Sequence, residues 1–162
     1  MNFDLGKIRM DFTRELNRAG DIITKDIKDG IDKGGNFGKK WKRNMPSTIA
    51  KKGLKKPLFE TGSMQWLPKK KAATKQSQEV VLRVAEKRQE IGRYHNEGTR
   101  PYTIVPKTAE MLSFITQNGR VYAKKVHHTG VEKREWFGIS DKAKSEIFSM
   151  VEEKIKLEIE RA

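Results

Sequence analysis

Apolar residues near the N-terminus of the chain recur at the spacing of one helix face. From Phe3 to Lys33 they lie three or four positions apart, and charged residues fill the positions between them. This period is typical of an amphipathic helix that packs its apolar face against a core. Gly30 and the pair Gly34-Gly35 supply a stop signal, which predicts one long N-terminal helix. Its exposed face is expected to carry ion pairs between lysines and Asp26, Asp29 and Asp32.

A second pattern of the same kind occupies the C-terminal part of the chain. Apolar residues step by four from Ala143 to Ile159, and Ser140-Asp141 precede them as residues suited to an N-cap. Acid pairs along this stretch, such as Glu152-Glu153, fall on its polar face. We expect a helix that runs almost to Ala162 and keeps these carboxylates in solvent.

Short β-type runs lie between the two helices, and those after residue 94 are closed by Gly or Pro turns. They cover residues 79–85, 102–105, 111–115 and 120–126. The turn residues Gln117-Asn118-Gly119 join the last two runs and predict a β-hairpin, and a short helix is favoured around residues 88–96. This order indicates an α+β fold with an antiparallel sheet of about four strands. Both long helices are expected to pack on one face of that sheet.

Residues 34–75 differ from the rest of the chain in composition. They contain five glycines, three prolines and twelve basic residues, and their apolar residues show no period. Pro46 followed by Ser47-Thr48 favours a short helix through Lys52, capped by one of the two hydroxyls. The density of charge argues against burial, so the remainder is predicted to be an extended basic loop that reaches neighbouring subunits.

The net charge of +14 is concentrated in the same segment. Residues 1–38 balance their charges, residues 39–75 carry +11 and residues 76–162 carry +3. A basic block of this kind contacts acidic partners, follows nucleic-acid phosphates without reading sequence, or faces solvent. The candidate contact residues are Lys39, Lys40, Lys42, Arg43, Lys51, Lys52, Lys55, Lys56, Lys69, Lys70 and Lys71.

The composition excludes several classes of protein, and a chain of 162 residues is most simply one domain. It contains no cysteine, which rules out disulfide scaffolds, thiolate zinc sites and cysteine nucleophiles. No apolar run approaches the roughly 18 residues of a membrane span, and the N-terminus lacks the regions of a signal peptide. We expect a protein that has no membrane partner and is made in a cytoplasm.

The sequence offers no catalytic or cofactor constellation. His127 and His128 are adjacent, so in a strand they point to opposite faces and cannot share a metal ion without distortion. No HExxH pattern is present, and His95, like the other two, is expected at the surface or in a partner contact. The glycines between Lys33 and Lys40 do not form a phosphate loop. We expect no enzymatic activity, no metal and no cofactor.

Four motifs follow one another in a fixed order between residues 36 and 145. The first comprises Trp41, Ser47-Thr48, Lys51-Lys52 and the run Leu58-Phe59-Glu60-Thr61-Gly62-Ser63-Met64. The second runs from Gly98 to Lys107 and leads to Leu112-Ser113-Phe114. The third is Val121-Tyr122-Ala123-Lys124-Lys125-Val126 with His128-Thr129-Gly130, and the fourth is Arg134-Glu135-Trp136-Phe137-Gly138-Ile139-Ser140.

This order of motifs resembles the tail-completion or neck proteins of tailed bacteriophages, a family of minor tail and virion morphogenesis proteins. Two positions depart from the pattern of that family. Thr129 stands where the family usually has proline, and Met64 stands where it commonly has leucine or another apolar residue.

The resemblance implies a structural virion subunit without enzymatic activity. Such subunits form a ring, often a hexamer, at the head–tail junction, between connector or portal-side proteins and the tail tube. Genomic DNA passes through the channel of the ring, which the basic loop could face without sequence preference. A basic protein that binds nucleic acid non-specifically is the alternative function. Tyr102, Trp136 and Phe137 are expected in the core or an interface, and the inter-subunit loop anchors are expected to be Trp41, Leu58, Phe59, Thr61 and Trp66.

Overall fold

The computed structural model describes residues 10–53, 55–59, 64–65, 69–84, 86–116 and 118–161. Its helices are α1 (Thr13–Lys33), α2 (Pro46–Lys52), α3 (Glu86–Glu97) and α4 (Asp141–Arg161). Its strands are β1 (Gly35–Asn36), β2 (Lys39–Lys40), β3 (Lys69–Lys71), β4 (Val81–Leu82), β5 (Tyr102–Ile104), β6 (Leu112–Thr116), β7 (Gly119–Ala123) and β8 (Val126–His128). The mixture of helices and antiparallel strands confirms the α+β class, and α1 and α4 contact each other as expected.

The strands of the described ranges form four separate antiparallel pairs. β1 pairs with β2, β3 with β4, β5 with β8, and β6 with β7. The prediction of one sheet of about four strands is therefore wrong, and so is the packing of both long helices on its face. Pro106 follows β5 and cannot donate to a ladder, and bends over residues 107–111 separate the hairpin from the β5–β8 pair.

Helix α1 begins later than its apolar pattern suggests. Residues 10–12 are not helical, and the Asp11 carboxylate accepts a hydrogen bond from the backbone N–H of Thr13 at 2.9 Å. This bond satisfies an N–H that has no acceptor within the helix, so it marks the helix start at Thr13, and the prediction of a helix through residues 10–12 is wrong. Residues 3–9 lie outside the described residues. The predicted glycine stop is confirmed, because Gly34 has a φ of 72° and donates to the carbonyls of Gly30 and Ile31.

Helix α4 begins at the predicted residue and is tied there to α1. The Ser140 hydroxyl accepts a hydrogen bond from the N–H of Ala143 at 3.2 Å, which is an N-cap contact. The Asp26 carboxylate on α1 accepts from the Ser140 N–H at 3.0 Å and from its hydroxyl at 2.8 Å. The expectation that Asp26 pairs with lysines on an exposed face is wrong, because this carboxylate holds the start of another helix. Asp32 likewise accepts from the Gln65 amide.

The basic segment is partly folded, contrary to the prediction of an extended loop. It contains the β1–β2 hairpin, α2 and β3, and the predicted short helix through Lys52 is confirmed. The N-cap residue of α2 is Met45 with Pro46 at the first position, so the predicted capping by Ser47 or Thr48 is wrong. Met64 is buried in the core, because one unbranched apolar side chain can be buried even where its neighbours are charged.

The core is centred on Trp136, which is 2% exposed and packs with Ile27, Ile31 and Met64. Its indole N–H donates to the carbonyl of Gly92 on α3 at 2.9 Å. The partly buried residues that pack against this cluster are Ile23, Trp41, Leu58 and Val84. Trp136 is thus a core residue, one of the two roles expected for it, whereas Tyr102 and Phe137 are 48% and 45% exposed.

The β1–β2 turn holds an aromatic ring against the chain that follows Trp136. Phe37 and Gly38 have φ angles of 51° and 73°, the left-handed values that a two-residue hairpin turn requires. A Cβ atom at Gly138 would lie 2.7 Å from the Phe37 ring. The backbone of Phe37 is therefore strained. Its ring occupies the space that a side chain at position 138 would need.

Replacing Gly92 by alanine should destabilise the protein, although alanine usually stabilises a helix interior by up to about 1 kcal/mol. A Cβ atom there would lie 2.8 Å from Cζ2 of the rigid Trp136 indole. We expect Gly92→Ala to lower the free energy of unfolding in urea by about 1–3 kcal/mol. Gln89→Ala, on the exposed face of α3, should change it by less than about 0.5 kcal/mol. A stabilised Gly92→Ala protein would contradict this packing.

Removing the Asp26 carboxylate should loosen the junction of α1 with α4. Asp26→Ala leaves the half-buried Ser140 N–H and hydroxyl without their acceptor, so we expect a loss of about 1–3 kcal/mol of unfolding free energy in urea. Asp29→Ala, one turn along α1, is the matched control and should cost less than about 0.5 kcal/mol. Equal effects of the two substitutions would show that the junction is not held by Asp26.

Candidate functional site

A cleft of about 700 Å³ opens between α2, α3 and the chain from β8 to Arg134. Its walls include the end of α2 at Lys52, the α3 residues Ile91 and His95, and His128 of β8. Leu58 and Met64 supply part of an apolar wall. Within the described residues five cationic side chains line the cleft, namely Lys42, Arg43, Lys52, Arg88 and Arg134.

Arg134 is fixed at the C-terminal end of α3 by two bonds to His95. Its backbone N–H donates to the His95 carbonyl at 2.6 Å, and its guanidinium Nη1 lies 3.3 Å from His95 Nδ1. An arginine can only donate, so Nδ1 is the acceptor and the imidazole proton resides on Nε2. The free carbonyls of a helix C-terminus favour a cation at this place. The contact orients the guanidinium in the wall of the cleft.

The electrostatic field in the cleft is positive. Burial, together with the smaller effects of the Arg134 and Lys52 charges, lowers the pKa of His95 from its ordinary value of 6.5 to about 4. Burial also lowers the pKa of Arg134, against the opposing effect of Glu132. His95 is therefore a neutral, half-buried residue at physiological pH, so the expectation that it lies at the surface is wrong, while a contact with a partner stays a prediction.

The cations of the cleft greatly outnumber its carboxylates. Among the described residues that line it, Glu132 is the one carboxylate, and it forms an ion pair with Lys42 at 2.9 Å. The buried Nε atom of Arg134 has no hydrogen-bond partner among the described residues. The cleft thus combines a partly apolar wall with an excess of positive charge.

The predicted basic contact residues do not lie on one common surface. Lys42, Arg43 and Lys52 lie in the cleft. Lys39 and Lys71 form exposed ion pairs with Glu135 and Glu79 at 3.1 and 2.7 Å. Lys56 donates to the Asp32 carbonyl and lies over the Phe59 ring, while Lys40 and Lys55 are exposed. The side chains of Lys51, Lys69 and Lys70 lie outside the described residues.

The predicted loop anchors divide in a similar way. Trp41 and Leu58 are partly buried against the core of their own chain. Phe59 is 36% exposed beneath the Lys56 ammonium group. Thr61 and Trp66 lie outside the described residues. A role of these five residues between subunits therefore stays a prediction.

His127 and His128 make different contacts on the two faces of the β5–β8 pair, as their adjacency predicts. His127 Nδ1 lies 2.9 Å from the Thr103 hydroxyl, whereas the His128 ring stacks on Tyr102 at a centroid distance of 4.9 Å. No group of three or more metal-ligating side chains occurs in the part of the chain that the structure describes. No helix within that part is long and apolar enough to cross a bilayer.

The hairpin β6–β7 forms a second surface of interest. Its register pairs Ser113 with Tyr122 and Ile115 with Arg120, so these four side chains share one face. Ile115 and Tyr122 on that face are 63% and 61% exposed. Within the described residues neither strand pairs with a third strand, so both strand edges of the hairpin are unpaired, although β6 also contacts α2.

Sequence reasoning missed half of the cleft. Arg88, His95 and Arg134 lie outside the basic segment, in a part of the chain whose net charge is only +3. Nothing in their spacing indicates that they meet Lys42 and Lys52. The tertiary contact of Arg134 with the end of α3 brings them together.

A scan against models of known protein families finds no match for this chain, and searches of curated proteins and of solved structures find none either.

Protonation of His95 should cost stability in acid. The unfolded chain has the ordinary pKa of 6.5 and the folded one a pKa of about 4, so the unfolded state binds more protons between these values. Stability should therefore fall as the pH drops from 6.5 to 4, by roughly 2 kcal/mol from this residue after allowance for its partial exposure. His95→Asn keeps an acceptor for Arg134 but does not titrate.

The test of this prediction is urea unfolding of both proteins at pH values between 7 and 4. The free energy of unfolding of the original protein should fall more steeply than that of His95→Asn. Parallel curves would show that His95 does not carry a lowered pKa. Carboxylates that titrate in the same range affect both proteins equally and cancel in the comparison.

Proposed function

We propose that the chain is a structural subunit of a tailed bacteriophage that assembles into a ring at the head–tail junction. The observation that carries the assembly part of this proposal is the hairpin β6–β7, which has unpaired strand edges within the described residues and large exposed apolar side chains. The place in the virion rests on the order of motifs that resembles tail-completion and neck proteins.

The hairpin is suited to pairing with another chain. A two-stranded sheet is marginally stable by itself, and an exposed apolar strand edge invites a further strand. Phe114 and Val121 lie opposite each other on one face, while Ile115 and Tyr122 occupy the other. Both faces thus carry apolar side chains, which a neighbouring subunit would remove from water.

Helix α4 carries a second exposed apolar surface that is suited to contact with a neighbouring subunit. Phe148 on this helix is 67% exposed, and Leu157 and Ile159 near its end are also exposed. A ring needs two different surfaces on each subunit, because a closed head-to-tail contact joins one patch to another. The hairpin and the exposed face of α4 are our candidates for these two surfaces.

In this role the protein has no catalytic activity and needs no cofactor. Its partners are further copies of itself, often six in the family that the motifs resemble, with connector or portal-side proteins on one side and tail-tube proteins on the other. DNA that passes through the ring would meet exposed lysines such as Lys40 and Lys55 without sequence readout. The protein would reside in the virion neck or tail.

The proposal predicts that assembly depends on the exposed face of the hairpin. The double substitution Ile115→Glu with Tyr122→Glu places two charges on that face, so we expect subunits that fold but remain monomeric. Light scattering coupled to size exclusion measures the molar mass, and electron microscopy shows whether rings form. Because both positions are exposed, the melting temperature of the variant monomer should match that of the unassembled original chain.

Val105→Glu is the matched control, since Val105 is an exposed apolar residue beyond the hairpin. This variant should assemble as the original protein does. A strictly monomeric original protein, with no ring in assembled particles, would refute the proposal. If rings still form after the double substitution, the proposal of a ring stands but the hairpin is not its interface.

A further inference from the structure

We propose that the cleft between α2, α3 and the chain from β8 to Arg134 binds phosphate groups, carried either by a small phosphate-bearing molecule or by a nucleic-acid backbone. This inference does not depend on the proposed ring, because all of its lining residues belong to one chain. We call the cleft the cationic cleft.

The charge balance of the cationic cleft is the first argument. Among the described residues that line it, five cations accompany one carboxylate, and that carboxylate already pairs with Lys42. Arg88 and Arg134 are partly buried, whereas Lys42, Arg43 and Lys52 are exposed. Repulsion between like charges is stronger at the partly buried pair than on an open surface, since the effective dielectric constant is lower there. A bound anion would offset this repulsion.

The types of cation provide the second argument. Three of the five are arginines, whose planar guanidinium groups match the oxygens of a phosphate and donate two parallel hydrogen bonds. Arg134 is pre-oriented by its two bonds to His95, so less side-chain entropy is lost when an anion binds. His95 acts here as a positioning residue that accepts from the guanidinium.

The size and lining of the cleft provide the third argument. A volume of about 700 Å³ falls within the range of small-molecule pockets and exceeds the space that one isolated ion needs. Leu58, Met64 and Ile91 line it beside the cations. This combination suits a phosphate attached to a less polar group, such as a sugar or a base.

A phosphate fits this cluster better than an acidic peptide does. One phosphate group presents several acceptor oxygens and up to two negative charges at a single point, which matches cations that converge on one cleft. Carboxylates of an extended peptide are spaced about 3.3 Å per residue along the chain and carry one charge each. We therefore commit to phosphate and make the acidic peptide a competing outcome.

The experiment measures binding of inorganic pyrophosphate, of a short oligothymidine strand and of oligoglutamate by isothermal titration calorimetry. The test variant is the double substitution Lys52→Gln with Arg88→Gln. The control is Lys124→Gln with Lys125→Gln, which removes the same charge from two exposed residues between β7 and β8 that do not line the cleft. We expect the test variant to bind at least about tenfold more weakly, and the control to stay within about twofold.

A second readout locates the anion in the cleft. Because the charges of Arg134 and Lys52 help to hold the pKa of His95 near 4, a bound anion should raise that pKa. Nitrogen chemical shifts of the imidazole, followed against pH with and without pyrophosphate, report this directly. Thermal unfolding of every variant verifies that it is folded. Arg88→Gln alone replaces the double variant if that one proves unstable.

The outcomes separate the two sources of phosphate. Cleft-dependent binding of pyrophosphate that is at least as tight as that of oligothymidine indicates a small phosphate-bearing ligand. Tighter or exclusive cleft-dependent binding of oligothymidine indicates a nucleic-acid backbone. Equal losses in the test and control variants, no binding of either phosphate probe, or an unchanged pKa of His95 would overturn the proposal. Tighter cleft-dependent binding of oligoglutamate than of pyrophosphate would also overturn it, in favour of an acidic protein partner.

Discussion

The packing of Trp136 against α3 is the interaction on which the rest of the structure depends. Its indole N–H donates to the Gly92 carbonyl, and its backbone N–H shares the Asn96 side-chain oxygen with that of Phe137. Because position 92 has no side chain, the ring lies directly against the helix and also covers Ile27 and Ile31 of α1. One side chain thus joins the first helix, the third helix and the chain that enters α4.

The cationic cleft depends on the same packing of Trp136 against α3. Arg134 lies two residues before Trp136, so fixing the indole brings the Arg134 backbone to the end of α3, where it donates to the His95 carbonyl. Arg134 then lines the cleft together with Lys52 and Arg88. A cation near the last carbonyls of a helix is favoured locally, which offsets part of the repulsion from the other cations. Core packing and the charge of the cleft are therefore physically coupled.

Polar side chains that reach across the chain complete the connections between elements. Asp26 of α1 holds the start of α4, and the Asn36 amide donates to the Trp136 carbonyl at 3.3 Å. In the sequence, Asp26 is one of several charged residues on a helix face, and Asn36 is part of a glycine-rich stretch. Their partners lie about a hundred residues away, so no local pattern could reveal them. The buried Met64 escaped notice for a related reason, since charge density averaged over a segment does not describe each of its side chains.

The sequence by itself determined the features that depend on local free energy. The apolar period predicted α1 and α4, Gly34 and Ser140 marked two of their ends, and the residues around Gly119 predicted the β6–β7 hairpin. Tertiary structure alone decided that β5 pairs with β8 and that cations from the basic segment, α3 and the Arg134 region share one cleft. The physical reason is that helix periods, caps and turns are set by neighbouring residues. Strand partners and converging charges are set by which distant surfaces pack together.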